Sequence, residues 1–136
     1  MKKKWIFGLS FLILSFPFQS CDSKTVDNEG QCIRVRILAY ICAEAVFQIL
    51  DPDYYHLGEL NWASGEARYD HVFHSFLSCP DIDYLGSLPA PFPVGKEMDV
   101  QLVSGNLDNN CAVCKATLGN APKTKLSIRF KLNGCK

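Results

Sequence analysis

The sequence lacks the motifs that identify most small enzymes. It contains no GxSxG nucleophile elbow, no glycine-rich phosphate loop, and no second CxxC pair that could complete a zinc knuckle with Cys111 and Cys114. It also has no long segment of helical periodicity and no internal repeat. We therefore predict a small domain with no catalytic residue and no cofactor.

The N-terminus has no apolar run long enough to cross a membrane. Three lysines, Lys2 to Lys4, precede an uncharged run of 14 residues from Trp5 to Phe18. A transmembrane helix needs about 18 or more consecutive apolar residues, so this run is too short to be a stable anchor. A cationic start followed by a short apolar run is typical of a signal peptide, which we place at residues 1–20.

The end of this segment, Phe18-Gln19-Ser20-Cys21, resembles the lipobox of bacterial lipoproteins. In that family, an aliphatic residue, a small residue and then Gly, Ala or Ser precede the cysteine that becomes the first mature residue. Ser20 and Cys21 match this pattern, whereas Phe18 is bulky but not aliphatic and Gln19 departs from it. The alternative is a soluble exported protein that is cut nearby, for instance after Ser23.

The resemblance implies that Cys21 is acylated and that membrane lipid, including a palmitate-type chain, is its partner. Two or more acyl chains give stable anchoring without a membrane-spanning segment. Residues 21–30 are polar and are expected to form a flexible tether. Asp22 after the lipidated cysteine resembles an inner-membrane retention signal in some lipoproteins and accompanies surface export in others; we favour the outer membrane or the cell surface.

Neither sign of charge predominates strongly in the mature chain. Removing three signal-peptide lysines leaves 11 Lys and Arg against 14 Asp and Glu, a net charge of −3. An exported chain with an acidic balance argues against nucleic-acid binding. The remaining partner would be an unknown envelope protein or glycan.

Besides Cys21, the sequence has six cysteines, and an even number in a small exported domain predicts disulfides. Six cysteines allow 15 pairings for three bridges. A redox CxxC pair needs a helix after it, and only Lys115 to Leu118 precede Gly119. We therefore interpret Cys111 and Cys114 as two structural ends, with a metal site or a thiol–disulfide enzyme as alternatives. The disulfide candidates are Cys32, Cys42, Cys79, Cys111, Cys114 and Cys135.

Alternating apolar residues from Ile33 to Ile49 give the clearest strand signal in the chain. This run is too long for one ordinary strand, so we expect a bent strand or two strands that separate near Cys42-Ala43-Glu44. Further strands are predicted at 70–78 and 96–103. Residues 79–95 hold four of the seven prolines and are predicted to form an extended loop.

The best hairpin candidate joins residues 112–118 to residues 126–132 through a turn at 119–122. Together these patterns predict an all-β domain over residues 31–136. The first choice is a small five- or six-stranded barrel resembling the OB fold, stabilised by disulfides, and the second is an immunoglobulin-like sandwich.

Two groups of side chains are candidates for binding. Aromatic rings among carboxylates are typical of a sugar or peptide groove, and the ligand-contact candidates are Tyr54, Tyr55, Trp62 and Tyr69. Packing of these rings under a long loop is the alternative. His71 and His74 are weak candidates for copper or zinc, since on a strand their rings diverge. The leading hypothesis is a lipid-anchored, non-enzymatic binding or accessory module, and a metal-handling protein is the alternative.

Overall fold

The structure is a computed structural model that describes residues 29–89, 93–105, 107, 110–112 and 114–135. The predicted signal peptide (1–20), Cys21 and tether residues 22–28 lie outside these residues. Within the described ranges, no helix is long and apolar enough to cross a membrane.

The described residues fold mostly into β-strands, as the sequence predicts. One α-helix, α1 (Cys79–Ser87), and a 3₁₀ helix at Pro52–Leu57 accompany the strands. The strands are β1 (Cys32–Ile41), β2 (Glu44–Ile49), β3 (Trp62–Ser64), β4 (Ala67–Tyr69), β5 (Val72–Phe76), β6 (Glu97–Leu102) and β7 (Ile128–Phe130).

The long alternating run forms two strands that separate where the sequence predicts. Strands β1 and β2 pair in antiparallel fashion, with Ile41 opposite Glu44 across a two-residue turn. The register shifts between Ile37 and Ala39, which places an irregularity in β1. Such a bulge increases the local bend and lets a long strand curve around a core. The predicted strands at 70–78 and 96–103 are confirmed as β5 and β6.

The principal sheet has the strand order β5-β2-β1-β6-β7, and every neighbouring pair in it is antiparallel. Strands β3 and β4 form a separate two-stranded hairpin. The side chains on one face of the principal sheet build the main core, together with residues that flank the sheet or lie in α1. The buried members of this core are Ile33, Val35, Ile37, Ala45, Phe47, Ile49, Phe73, Leu77, Leu85, Val100, Leu102 and Ile128.

The chain just before β7 makes backbone hydrogen bonds at both ends of this strand order. The amide of His74 in β5 donates to Thr124 O (2.9 Å), and the amide of Leu126 donates to His74 O (3.1 Å). One residue later, Ser127 O accepts a hydrogen bond from the amide of Val103, which follows β6 (3.0 Å). A single segment therefore contacts both β5 and the β6 side of the sheet.

The prediction of an extended loop over residues 79–95 is wrong at its start, because residues 79–87 form α1. Ser78 occupies the N-cap position, and Pro80 lies in the first turn, where its missing N–H costs nothing. Ser78 Oγ donates to the carboxylate of Asp81, whose other oxygen accepts from the amide of Phe130 (3.0 Å). These contacts stabilise a short helix that has little apolar periodicity.

The predicted hairpin is wrong in its first strand. The described residues of 111–118 contain no strand, and of 126–132 only Ile128–Phe130 is in one. Strand β7 pairs instead with β6, opposite Val100 to Leu102. The predicted alternation of Ala112, Cys114, Ala116 and Leu118 offers one large apolar side chain only, and Leu118 packs in a different apolar cluster from that of β7.

Candidate functional site

A second set of apolar side chains lies on the face of β2 and β5 that points away from the main core. Val46 and Val72 are fully buried there, although both lie on the outer side of the sheet. The β3–β4 hairpin and the connection between β6 and β7 cover them. We call this set the outer cluster; it comprises Leu38, Ala39, Val46, Trp62, Tyr69, Val72 and Leu118.

Hydrogen bonds hold the connection between β6 and β7 against this face. Trp62 Nε1 donates to Asn120 O, and Asn120 Nδ2 donates to Ala63 O, both at 2.7 Å. The amides of Lys123 and Thr124 both donate to Glu59 Oε2, at 2.7 and 2.9 Å. The loop that follows residue 113 is therefore fixed to the chain segment that connects β2 to β5, through Glu59, Trp62 and Ala63.

Disulfides fix the same connection at two further points. Cys114 pairs with Cys42 in the turn between β1 and β2, and Cys111 pairs with Cys79 at the start of α1. Cys42 has a φ of 55°, a left-handed conformation that favours glycine. A cysteine occupies this position nevertheless, and its disulfide with Cys114 attaches the loop to the turn.

The interpretation of Cys111 and Cys114 as ends of two different bridges is confirmed. The third disulfide joins Cys32 at the start of β1 to Cys135, so all six candidate cysteines are oxidised. A thiol–disulfide enzyme of the CxxC type needs a disulfide between the two cysteines of the motif, but Cys111 and Cys114 each pair with a different cysteine.

A buried polar pair, His74 and Glu44, lies next to the outer cluster. His74 is only 3% exposed, and its Nε2 is 3.5 Å from Glu44 Oε2. Glu44 Oε2 also accepts a hydrogen bond from the amide of Leu118 (3.0 Å). Within the described part of the chain, neither ring nitrogen of His74 has a hydrogen-bond partner.

Burial lowers the pKa of His74, because the charged imidazolium is poorly solvated there. The carboxylate of Glu44 acts in the opposite direction, and the ammonium group of Lys125 lowers the pKa further. The Lys125 Nζ lies 5.7 Å from the centre of the Phe76 ring, which also packs edge-on against His74. The pair is thus enclosed by protein groups and holds the loop in place.

The structure gives the two candidate metal ligands different surroundings. The His71 ring stacks on Tyr55, with 3.9 Å between ring centres, and its Nδ1 lies 3.2 Å from Tyr55 O. His74 faces Glu44 instead. Among the residues that the structure describes, no group of three His, Cys, Asp or Glu side chains could hold a metal ion.

The four aromatic ligand-contact candidates separate into two places. Trp62, 7% exposed, and Tyr69 belong to the outer cluster, with 6.0 Å between their ring centres. Tyr54 and Tyr55 lie in the 3₁₀ helix and pack against the main core.

An open groove lies at the end of the domain that holds the Cys32–Cys135 disulfide. Its volume is ≈ 370 Å³. A tight turn from Lys131 to Gly134 forms one wall, closed by a hydrogen bond from the Gly134 amide to Lys131 O (3.1 Å). The sequence Leu132-Asn133-Gly134 carries the signal for this turn, which the strand prediction for 126–132 overlooked. The lining residues are Gly30, Cys32, Gln101, Lys131, Leu132, Asn133, Gly134 and Cys135.

Comparisons of the chain with protein-family models, with curated proteins and with solved structures each gave no match.

Proposed function

We propose that this chain is a lipid-anchored, extracytoplasmic binding or accessory module of the bacterial envelope, without enzymatic activity, built on a small barrel that resembles the OB fold. One observation carries the proposal. Two disulfides and a set of hydrogen bonds fix the described residues of the long connection between β6 and β7, and its part at 114–124 lies against the outer cluster and the chain at Glu59 to Ala63.

The order of elements supports the barrel. An OB-like barrel has five strands, in which the first pairs with the second and fourth, and a helix commonly follows the third. Here β1 pairs with both β2 and β6, and α1 follows β5. In such a barrel the fifth strand closes the sheet by pairing with the third. The backbone hydrogen bonds of His74, in β5, to Thr124 and Leu126, just before β7, lie at that position. A sandwich would instead divide these strands between two facing sheets.

The disulfides support an extracytoplasmic location. Three bridges in a small domain are typical of an oxidising compartment, since cytosolic reductants keep thiols reduced. The lipobox-like residues Phe18 to Cys21 supply the proposed anchor. Acyl chains on Cys21 would hold the domain at a membrane surface while the polar tether separates the two.

The fixed loop favours recognition over catalysis. A loop held by two disulfides loses little conformational entropy when it binds a partner, so more of the interaction energy remains for affinity. The buried Glu44 carboxylate accepts a hydrogen bond from Leu118 of this loop, and the His74 ring lies against that carboxylate. The proposed partner is another envelope protein or a glycan that contacts the outward side of residues 115–125.

Membrane fractionation tests the anchor. The native protein is expected in the membrane fraction and in the detergent-rich phase after phase partitioning, whereas the Cys21→Ala protein is expected to lose both properties. Ser23→Ala is the matched control, because it changes a neighbouring residue outside the lipobox-like motif. Equal behaviour of the native and Cys21→Ala proteins would refute the anchor.

A cross-linking assay tests the recognition surface. Chemical cross-linking in intact cells is expected to join the native protein to one or more envelope components through residues 115–125. The Cys42→Ser/Cys114→Ser protein should lose these cross-links, while Arg68→Gln, an exposed change in β4, should keep them. Cross-links that are unaffected by release of the loop would place the binding surface elsewhere.

A further inference from the structure

The turn from Lys131 to Gly134 carries an apolar residue at its outermost point. Leu132 is 67% exposed, the largest exposed fraction among the large apolar side chains of the described residues. Turn positions of this kind usually hold polar residues, because a leucine there leaves its side chain in water. The neighbouring side chains Lys131 and Asn133 are exposed as well.

The turn is rigid. The amide of Lys131 donates to Asp99 O (2.9 Å), and the amide of Cys135 donates to Asp99 Oδ2 (3.0 Å), so both ends of the turn are bound to β6. The Cys32–Cys135 disulfide then joins it to β1. A side chain held in this way contributes its burial energy to binding with little cost for ordering the backbone.

The same end of the domain is where the tether begins. Gly30 lines the groove beside Leu132, and its amide donates to Leu102 O (2.8 Å). Nine peptide steps, from 21 to 30, separate Gly30 from Cys21. Even a fully extended chain of that length reaches only about 30 Å, so acyl chains on Cys21 would hold this end close to the bilayer.

We infer that Leu132 and the flanking Lys131 form a membrane-docking tip that inserts into the lipid–water interface beside the acyl anchor. The inference rests on the proposed lipidation of Cys21. Leucine gains free energy on entering the acyl region, and the lysine ammonium group remains at the level of the phosphates. Among the described residues, the carboxylates near the turn are those of Glu29, next to Gly30, and Asp99, which bonds to Cys135. Anionic lipids would repel these carboxylates, and the positive charge of Lys131 offsets that repulsion.

Docking would orient the domain. The turn at Val94-Gly95 lies near Ile37, because the Gly95 amide donates to Ile37 O (2.7 Å). Ile37 is five residues along β1 from Cys32, which is about 17 Å at the usual rise of a strand. If β1 rises from the membrane with its Cys32 end lowest, insertion of Leu132 places Val94, another exposed apolar side chain (51%), away from the bilayer.

Fluorescence quenching in vesicles tests the inference. Full-length Leu132→Trp and Val94→Trp proteins, purified from membranes, are reconstituted into phosphatidylethanolamine–phosphatidylglycerol vesicles with or without brominated acyl chains. Intact mass spectrometry of each preparation reports acylation and the oxidation of all six cysteines. The emission of buried Trp62, measured in the native protein, is subtracted as background.

We expect the emission of Leu132→Trp to shift to shorter wavelength and to lose intensity to the brominated lipid, while Val94→Trp does neither. An acylated, fully oxidised Leu132→Trp protein without quenching would overturn the docking tip and leave the anchor intact. Equal quenching at both positions would also overturn it, since the domain would have no fixed orientation. Absence of acyl chains would overturn the proposed anchoring and the docking inference together.

Discussion

At the scale of single residues, His74 contacts several parts of the domain. Its backbone N–H and C=O bond to Thr124 and Leu126, and its side chain lies against Glu44. Glu44 in turn accepts the amide of Leu118. The His74 imidazole, whose pKa is lowered by burial, therefore lies at the point where β5 and the fixed loop meet.

The lowered pKa of His74 predicts a loss of stability in mild acid. In the unfolded chain the imidazole takes up a proton near its ordinary pKa of 6.5, whereas the folded protein resists protonation until lower pH. The unfolded state therefore binds more protons as pH falls below about 6.5, and folding becomes less favourable. Urea unfolding of the native protein should show a lower midpoint at pH 5 than at pH 7.

The His74→Gln protein should lose the part of this pH dependence that belongs to the imidazole, because glutamine does not titrate. His56→Gln is the matched control, since His56 is exposed, and it should retain the native profile. A His74→Gln profile identical to that of the native protein would contradict the assignment to His74.

Asp81 is the second buried acid with a structural role. It accepts hydrogen bonds from Ser78 Oγ and from the amide of Phe130, and so connects α1 to β7. Asp81→Ala removes both bonds and leaves two donors without partners, so the free energy of unfolding should fall by about 2–4 kcal/mol. Asp83→Ala in the same helix is exposed and should change it by less than about 0.5 kcal/mol. Equal effects in urea titrations would show that the connection is unimportant.

At the scale of elements, hydrophobic alternation predicted most strands of the principal sheet. The segment 33–49, which alternates throughout, forms two strands, β1 and β2, separated by a turn at Cys42-Ala43. A strand of this length must bend or turn to cover a small core. Strands β5 and β6 also followed from local patterns. In β1, β2 and β6 apolar side chains occur at every second position and enter a buried surface, whereas β5 alternates less strictly because His74 and Ser75 interrupt its apolar residues.

Helix α1 and the loop at 111–118 escaped prediction for physical reasons. The apolar face of Cys79–Ser87 is short, with Ile82 and Leu85 packed on the main core. The helix is also held by the contact between Ser78 and Asp81 and by the hydrogen bond from Phe130, which is 49 residues from Asp81. The loop has its partners in two disulfides and in Glu44, all distant in sequence. The short β3–β4 hairpin was likewise missed, because its partners are remote side chains of the outer cluster.

The bridge between Cys42 and Cys114 should stabilise the loop more than the rest of the domain. The Cys42→Ser/Cys114→Ser protein should lose about 2–4 kcal/mol of unfolding free energy, because its unfolded chain is less restricted. Hydrogen exchange should show reduced protection at the Leu118 amide, while the Ile37 amide, which bonds to Lys96 O, keeps its relative protection.

Cys79→Ser/Cys111→Ser is the matched comparison, since it opens the other bridge of the same loop. It should weaken the attachment of α1 and leave the Leu118–Glu44 bond protected. Unchanged protection of Leu118 in the Cys42→Ser/Cys114→Ser protein would mean that Glu44 and the outer cluster hold the loop without the disulfide.

At the scale of the whole molecule, the residues that the structure describes form a small β-rich fold whose core is supplemented by covalent links. One disulfide joins the start of β1 to Cys135, and the other two join the long loop to the first turn and to α1. Bridges of this kind contribute about 2–4 kcal/mol each, a large share of a typical stability of about 5–15 kcal/mol. In the proposed function, such a domain would present a fixed surface beside the membrane that holds its acyl chains.

Intact mass spectrometry of the protein extracted from its native membrane tests this account most directly. We expect a chain that begins at Cys21, carries a diacylglyceryl group with or without an N-acyl chain, and has lost six hydrogens to its three disulfides. A chain that begins elsewhere without acyl groups would contradict the lipid anchor. Free thiols at the six cysteines would contradict the disulfide-fixed surface on which the proposed function depends.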